Sequence, residues 1–327
     1  MNHVKVGMIS FAHGHAFSYL RGLLELPNVT VTGIADEVRD RVAGVVEKHG
    51  LAYYEDYREL LKTDIDAVVI CSENVHHAQQ TIDSANAGKH VLCEKPLGIS
   101  TEEMQRMIDV CREKGVQLMT AFPCRYITAV LDAKAAIERG EIGEILAIKG
   151  TNRGTMPGSW FIEPELSGGG AVLDHTVHVM DLMNWFLDSP VAEVYAEAGT
   201  FFHDIKVDDS GMVHVKFENG VIAALDTSWS RPKMFPTWGD VTMEIVGTKG
   251  VVSIDSFNQK NEVFSNLAAK PTYSGWGDSM DGRLVEGFVN AIANGTPVPI
   301  TGEDGLKSAQ VALAAYESIA QKKAIKL

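Results

Sequence analysis

A glutamate and a lysine stand at the end of a short apolar segment, residues 88–96, which reads GKHVLCEKP. The apolar run is typical of a buried parallel strand, and proline prevents the strand ladder from continuing past Lys95. Ligands of open α/β sheets bind at the carboxyl ends of the strands. Glu94 and Lys95 are therefore predicted to lie in an active site, and a surface lysine at a strand-to-helix turn is the alternative.

A second pair of chemically capable residues follows three glycines in segment 168–182, GGGAVLDHTVHVMDL. The pattern predicts a loop and then a helix. Asp174 and His178 are spaced i, i+4 and so share one helical face, whereas His175 and Asp181 are expected to point elsewhere. Histidine suits proton transfer from a hydroxyl near neutral pH, and a carboxylate one turn away can orient it. A solvated helix face or a capped helix end is the alternative.

The first half of the chain alternates strand and helix patterns, which predicts a doubly wound parallel sheet with right-handed crossovers. The predicted strands are 4–9, 29–35, 67–71, 90–93 and 117–121, separated by helices such as 38–49 and 77–87. We therefore predict an α/β protein whose residues 1–122 form a Rossmann domain.

After Phe122 the strands become longer and alternate polar with apolar residues, at 145–149, 191–201, 212–217, 221–230 and 240–246. Asn219-Gly220 is a hairpin signal. Residues 123–327 are thus predicted to form an α+β domain with a large, mostly antiparallel open sheet. A last helix, 304–322, is expected to pack back against one of the domains.

Composition excludes several classes of function. The 327 residues carry a formal net charge of −14 and are 45% hydrophobic, which argues against nucleic-acid or anionic-membrane partners. No signal peptide and no run of transmembrane length is recognisable. The cysteines show no pairing pattern, so we expect reduced thiols in a cytoplasmic protein.

These features together resemble the Gfo/Idh/MocA oxidoreductases, named after glucose-fructose oxidoreductase and inositol dehydrogenase. The resemblance extends over nearly the whole chain and rests on Asn74 and His77 after segment 66–70, the GKHVLCEKP segment, Arg125-Tyr126, segment 140–143, and the glycine run leading to Asp174 and His178. It implies that Lys95, Asp174 and His178 form the catalytic group.

The nucleotide-binding loop departs from the family pattern. The family has Gly-x-Gly-x-x-Gly starting at the position of Ser10, and here the sequence is SFAHGH, so that Ser10, Ala12 and His15 replace the three glycines. A shift of one residue would make Gly14 the third glycine. The resemblance still implies that the loop residues contact the cofactor: Ser10, Phe11, Ala12, His13, Gly14 and His15.

Asp36 follows the second strand, where a carboxylate accepts hydrogen bonds from the adenosine ribose and repels a 2′-phosphate. It predicts NAD rather than NADP, and a helix N-cap is the alternative role. Further cofactor contacts are expected from Ser72, Glu73, Asn74, His77, Glu94 and Lys95. Glu73 replaces a proline that is common in the family.

The predicted activity is an NAD-dependent dehydrogenase that acts on a secondary alcohol or ketone of a sugar, cyclitol or related polyol. His178 would be the general base, Lys95 would stabilise the alkoxide, and Asp174 would position the substrate and the histidine. The predicted substrate-binding residues are Lys95, Arg125, Tyr126, Trp160, Asp174 and His178. Arg125 could instead pair with a carboxylate, and Trp160 with Phe161 could instead be core. We expect no metal, despite eleven histidines.

Two other functions are compatible with the sequence. One is an NAD-dependent glycosidase acting by transient oxidation and elimination, and the other is a non-catalytic NAD-binding regulator. The sheet of the second domain has too few helices to cover both faces, which predicts that the exposed face pairs with a second copy of the chain about a two-fold axis. The family resemblance implies the same arrangement, as a homodimer or homotetramer. A polar outer face carrying Lys149, His214, Lys216 and Glu244 is the alternative. The sequence does not identify the sugar or polyol.

Overall fold

A computed structural model describes residues 2–267, 269–275, 277 and 279–327. The chain divides into two compact units. Unit 1 comprises residues up to 123, 165–168 and 280–310, and unit 2 comprises the described residues of 124–164, 169–279 and 311–327. The predicted boundary after Phe122 lies one residue from the first observed one. Two later segments nevertheless join unit 1, because they pack against its sheet and helices rather than against their chain neighbours.

Unit 1 is built on a six-stranded parallel sheet of order β3-β2-β1-β4-β5-β6. This is the order of a dinucleotide-binding Rossmann sheet, and it reverses direction between β1 and β4. The strands are β1 (Val4–Ile9), β2 (Val29–Ala35), β3 (Ala52–Tyr54), β4 (Ala67–Ile70), β5 (His90–Glu94) and β6 (Leu118–Ala121). The predicted parallel sheet is confirmed, and β3 is a strand that the sequence patterns did not reveal.

Five helices connect these strands, and a sixth comes from much later in the chain. They are α1 (His15–Glu25), α2 (Arg39–His49), α3 (Tyr57–Leu61), α4 (His77–Asn86), α5 (Thr101–Lys114) and α9 (Met280–Asn294). α9 packs against α1, where a Cβ on Gly22 would lie 2.9 Å from Val285. Close approach of the two helices therefore requires the small residue.

Unit 2 contains a seven-stranded sheet of order β12-β11-β7-β10-β9-β8-β15, in which only the β7–β10 pair is parallel. The strands are β7 (Ile145–Gly154), β8 (Val191–Gly199), β9 (Ser210–Phe217), β10 (Ile222–Ser228), β11 (Gly239–Gly247), β12 (Val251–Asp255) and β15 (Ile325–Lys326). The predicted mostly antiparallel sheet and the hairpin at Asn219-Gly220 are confirmed. Gly220 has a φ of +89°, a conformation that glycine adopts without strain.

The remaining elements are two short helices, α6 (Thr128–Glu138) and α7 (Pro164–Ser167), the long helices α8 (Ala171–Leu187) and α10 (Gly302–Gln321), and a hairpin formed by β13 (Lys260–Ser265) and β14 (Lys270–Gly275). In the described part of the chain, no helix is both long and apolar enough to cross a membrane.

α8 covers one face of the unit 2 sheet. A Cβ on Gly150 would lie 2.6 Å from Val179, and one on Gly211 would lie 2.4 Å from Val172. Glycine at these two strand positions therefore lets the helix lie close to the sheet. α8 is buried along most of its length, which places its polar residues inside the unit.

The opposite face of this sheet is open in the single chain. Side chains alternate between the two faces, so Met212, Ile222 and Val251 are each more than half exposed. Lys149, His214, Lys216 and Glu244 lie on the same face and border a shallow cavity of about 580 Å³. The face thus carries both polar and apolar side chains, and association through it stays a prediction.

Candidate active site

The loop after β1 has a glycine-like backbone conformation at its first position, although that residue is a serine. Ser10 has a φ of +63°, in the left-handed region that normally selects glycine. The loop then leads directly into α1, with Gly14 as the N-cap residue. Because helix N-termini attract anions, this geometry fits a dinucleotide pyrophosphate.

Asp36 ties this loop to the end of β2. Its carboxylate is buried and accepts hydrogen bonds from the backbone N–H groups of Phe11 (2.7 Å) and Val38 (2.8 Å). The guanidinium of Arg41 lies 3.4 Å from the same carboxylate and donates to the hydroxyl of Ser10. Asp36 therefore holds the loop as well as being a predicted ribose ligand. The sequence interpretation missed Arg41, because only the fold brings α2 beside the loop.

A cavity of about 440 Å³ opens beside Asp36. Of the predicted cofactor contacts, Ser10, Ser72 and Glu73 also line it, together with Gln80, whose side chain accepts a 2.8 Å hydrogen bond from Ser72. It lies at the ends of β1 and β4, where the strand order reverses. That is where Rossmann folds bind nucleotides, so the residues present fit the adenosine part of a dinucleotide.

Asn74 and His77 are buried beneath this region. The side-chain amide of Asn74 donates to the carbonyl of Ser167 at 2.8 Å. The ring nitrogens of His77 lie 2.8 Å from the carbonyl of Pro96 and 3.2 Å from that of Ser72, and burial lowers its pKa. His77 thus braces the segments after β4 and β5, and direct contact of either residue with the cofactor stays a prediction.

Glu94 is the centre of a charged cluster at the end of β5. The side chain is 1% exposed, and Oε1 lies 2.9 Å from Nδ1 of His15 and 3.8 Å from Nδ1 of His13. Its Oε2 accepts a 2.9 Å hydrogen bond from the backbone N–H of Lys95. Burial alone would raise the pKa of Glu94, but His13 and His15 hold that pKa far below its usual range.

The two histidines and Glu94 also have the donor types of a metal site. One ligand atom from each lies within 4.8 Å of the others. These atoms already bond to one another and to the loop, since His13 Nδ1 accepts from the backbone N–H of His15 at 3.1 Å. Hydrogen bonding therefore accounts for the arrangement, and absence of a metal stays a prediction.

In unit 2, the start of α8 is fixed by residues that the sequence interpretation missed. Asp208 accepts hydrogen bonds from the backbone N–H groups of Gly170 (3.2 Å) and Val172 (2.7 Å), and from the hydroxyl of Tyr316 (2.8 Å). A Cβ on Gly170 would lie 2.0 Å from the carbonyl oxygen of Asp208. The last glycine of the run is thus required by this close approach.

Asp174 is held in place from two sides. The indole N–H of Trp229 donates to Oδ2 of Asp174 at 3.1 Å, and Nε2 of His175 lies 3.3 Å from the same oxygen. His175 is in turn anchored through Nδ1 to the carbonyl of Asn152 at 2.7 Å. The expectation that His175 points away from the site was wrong. Adjacent helical residues diverge by about 100° at the backbone, but the long imidazole arm reaches back to the carboxylate.

His178 lies one turn further along α8 and is buried. Its Nδ1 is 3.9 Å from Sγ of Cys124. The helix confirms the predicted i, i+4 relationship with Asp174, so both side chains leave one face of α8. Unit 2 thus presents a carboxylate and an imidazole together, the pair that orienting and deprotonating a hydroxyl requires.

Arg125 forms a buried ion pair, the alternative that the sequence left open. Its Nε and Nη2 donate to the two carboxylate oxygens of Asp181 at 2.7 and 2.6 Å, while Trp185 stacks beside the guanidinium. Neighbouring Tyr126 has its pKa raised to about 12 by burial. Trp160 is buried and stacks on Phe161 with ring centroids 3.8 Å apart. Substrate contacts by Arg125, Tyr126 and Trp160 stay predictions.

Two family models match most of the chain. Residues 4–122 match the oxidoreductase family with an NAD-binding Rossmann fold, and residues 130–253 match the Gfo/Idh/MocA C-terminal domain.

Individual relatives agree with these matches. The chain is 30% identical over 315 residues to the "uncharacterized oxidoreductase YrbE" of Bacillus subtilis, covering 92% of this chain and 90% of the relative. It is 28% identical to a myo-inositol 2-dehydrogenase of Thermotoga maritima, covering 94% of each chain. A solved levoglucosan dehydrogenase in complex with NADH and L-sorbose superposes with a TM-score of 0.85 at 25% identity, covering 100% of this chain and 99% of the other. With both domain models matched in order along one chain, the protein belongs to the Gfo/Idh/MocA family of oxidoreductases.

Proposed function

We propose that the protein is an NAD-dependent dehydrogenase that oxidises a secondary alcohol of a sugar, cyclitol or related polyol, or reduces the corresponding ketone. The observation that carries the proposal is the arrangement on α8, where Asp174 is fixed by Trp229 and His175 one turn from His178. Relatives that act on myo-inositol and levoglucosan support the substrate class. NAD, when bound, supplies the hydride acceptor.

The remaining chemistry belongs to side chains of this chain. His178 accepts the proton of the reacting hydroxyl. The ammonium group of Lys95 stabilises the negative charge that develops on the oxygen. Asp174, which Trp229 and His175 hold through Oδ2, orients the substrate hydroxyl and the imidazole of His178.

The proposed cofactor is NAD rather than NADP. The buried carboxylate of Asp36 lies beside the adenosine-sized cavity, where it would accept from ribose hydroxyls and repel a 2′-phosphate. Its hydrogen bonds from Phe11 and Val38 hold the carboxylate in place beside this cavity.

We also propose that the open face of the unit 2 sheet is covered by a second copy of the chain. Exposed Met212, Ile222 and Val251 give it an apolar part, and interspersed Lys216 and Glu244 give both charge signs, which a two-fold axis can pair. A homodimer or a homotetramer would satisfy this requirement.

The activity is tested by incubating the purified protein with NAD and a panel of sugars and cyclitols while following NADH absorbance. His178→Ala and Lys95→Met should each lower turnover by about two decades or more while NAD binding is retained. His49→Ala, at the exposed end of α2, is the matched control and should keep full turnover. Near-normal turnover in either active-site variant would contradict the assigned role.

The same experiment separates the other functions considered. A glycosidase that oxidises its substrate transiently would release the aglycone without net NADH. A regulator would bind NAD and turn over none of the panel.

A further inference from the structure

Most backbone N–H groups of the loop after β1 already donate hydrogen bonds within the protein. In an ordinary glycine-rich loop, free N–H groups point at the pyrophosphate. Here the N–H groups of Phe11, Ala12 and His13 donate to the Asp36 carboxylate, the Ser10 hydroxyl and the Cys71 carbonyl, respectively. The N–H of His15 donates to the His13 ring. Most backbone donors of the loop are thus already engaged, so an anion bound at this position would take part of its hydrogen bonds from side chains.

A buried carboxylate close to the loop also opposes the binding of an anion. Glu94 is 1% exposed and contacts His15, which is the first residue of α1. Pyrophosphate binds at the N-terminus of that helix in Rossmann folds. If His15 were neutral, the ionised Glu94 would lose the compensation that His15 provides, and only His13 and Lys95 would offset its negative charge next to the phosphates. If His15 carries a proton, the pair is neutral and the helix dipole attracts the anion.

We propose that a protonated His15, held by Glu94, replaces the missing glycine N–H groups in binding the cofactor pyrophosphate, so that NAD affinity depends on pH. The inference rests on the proposed function, since it takes NAD as the ligand. It adds a regulatory property: the protein binds NAD more tightly when acidified and releases it as the pH rises.

The charged neighbours of His15 determine the direction of this effect. Glu94 on β5 and Asp281 on α9 favour the protonated ring, whereas burial and Lys95 oppose it. The hydroxyl of Tyr19 on α1 lies 3.3 Å from Nδ1, and the His13 ring packs 4.3 Å away, centroid to centroid. The acids prevail, so the pKa of His15 is raised from its ordinary value. His15 therefore keeps its proton to a higher pH than an ordinary histidine does.

The test is the dissociation constant of NAD for the whole protein, measured by calorimetry between about pH 6 and pH 9. Because bound phosphate should raise the pKa of His15 further, and one pKa unit corresponds to a factor of ten, we expect the constant to increase about tenfold over this range. Calorimetry in two buffers with different ionisation enthalpies should also show proton uptake on binding. A constant that does not change with pH overturns the inference.

Variants test whether the proton that controls NAD affinity is carried by His15. His15→Gln keeps a donor for Glu94 but carries no charge, so its affinity should be weak and independent of pH. Adding Glu94→Gln removes the carboxylate that His15 no longer compensates and should restore part of the affinity, still independent of pH. His49→Gln, at the exposed end of α2, is the matched control and should keep the full dependence. A pH dependence that survives in His15→Gln rejects the assignment.

Two further outcomes are distinguishable. If binding or its pH dependence disappears after treatment with a chelator, a metal ion at His13, His15 and Glu94 is responsible and the inference is wrong. If the protein binds no NAD at any pH, the proposed function itself fails. If NAD binds tightly with a flat pH profile, only the inference fails.

Discussion

The buried pair formed by Arg125 and Asp181 gives the sharpest prediction about stability. Both carboxylate oxygens of Asp181 accept a guanidinium hydrogen bond, Asp181 is fully buried and Arg125 is 7% exposed. Arg125→Met removes the positive charge and leaves Asp181 buried without its counterion. Since breaking a buried ion pair from one side costs about 3–5 kcal/mol, we expect that loss in the free energy of unfolding.

The double variant Arg125→Met/Asp181→Leu separates the charge from the packing. Replacing both ions with apolar side chains of similar size is often neutral, so the double variant should recover most of the lost stability. Arg139→Met is the matched control, because the ion pair of Arg139 with Glu141 is more than half exposed on both sides. That change should cost less than about 1 kcal/mol.

Urea unfolding followed by circular dichroism and by tryptophan fluorescence measures these differences, and coincident transitions would justify a two-state analysis. Turnover of the double variant tests whether Arg125 has a role in activity beyond the ion pair. If Arg125 only positions α8 through Asp181, turnover should return with stability. A cost below about 1 kcal/mol for Arg125→Met, or a double variant no more stable than the single one, would refute this reasoning.

Three more predictions address the cofactor, acid stability and assembly. Asp36→Ser should narrow the difference between NAD and NADP affinities, and equal affinities in the unmodified protein would contradict the role of Asp36. Burial of Asp240 opposes ionisation, but hydrogen bonds from Arg231 and Thr151 keep the pKa of its carboxyl lowered in the folded protein. The ionised carboxylate therefore stabilises the fold above the unfolded pKa of about 3.9, and this contribution disappears as the pH falls through the lower pKa of the folded state. Asp240→Asn should therefore lower the melting temperature at neutral pH, and the difference should shrink on acidification below about pH 4; a constant difference would argue against the ion-pair explanation. Light scattering should show a mass that is a multiple of the 35.6 kDa chain mass. Ile222→Glu, on the open sheet face, should shift the measured mass toward that of one chain. A single-chain mass of the unmodified protein at all dilutions would reject the assembly.

Local patterns were sufficient to predict the Rossmann sheet, because each parallel strand is a short apolar run bounded by turn residues. β3 escaped detection since its three residues, Ala52–Tyr54, are only partly buried. In the second half, β11 was found by its alternation, whereas β12 and β13 lack buried positions frequent enough to produce a pattern.

In the candidate site, too, the sequence predicted some residues and missed others. The sequence identified Glu94, Lys95, Asp174 and His178 from their places at a strand end and on a helix face. It missed Trp229, although that indole fixes Asp174, because 55 residues separate the two along the chain.

The amino-acid sequence by itself therefore determined the elements, their class and the chemical groups at their ends, since these depend on periodicity and on residues a few positions apart. Only the tertiary structure decided what each group contacts. It placed Asp208 and Tyr316 at the start of α8 and brought α9 against α1. It also brought the carboxylate of Glu94 against the ring of His15, which stands at a glycine position of the family loop. The physical reason is that these contacts join segments distant in sequence, whose approach is fixed by the burial of whole helices and strands and not by any local preference.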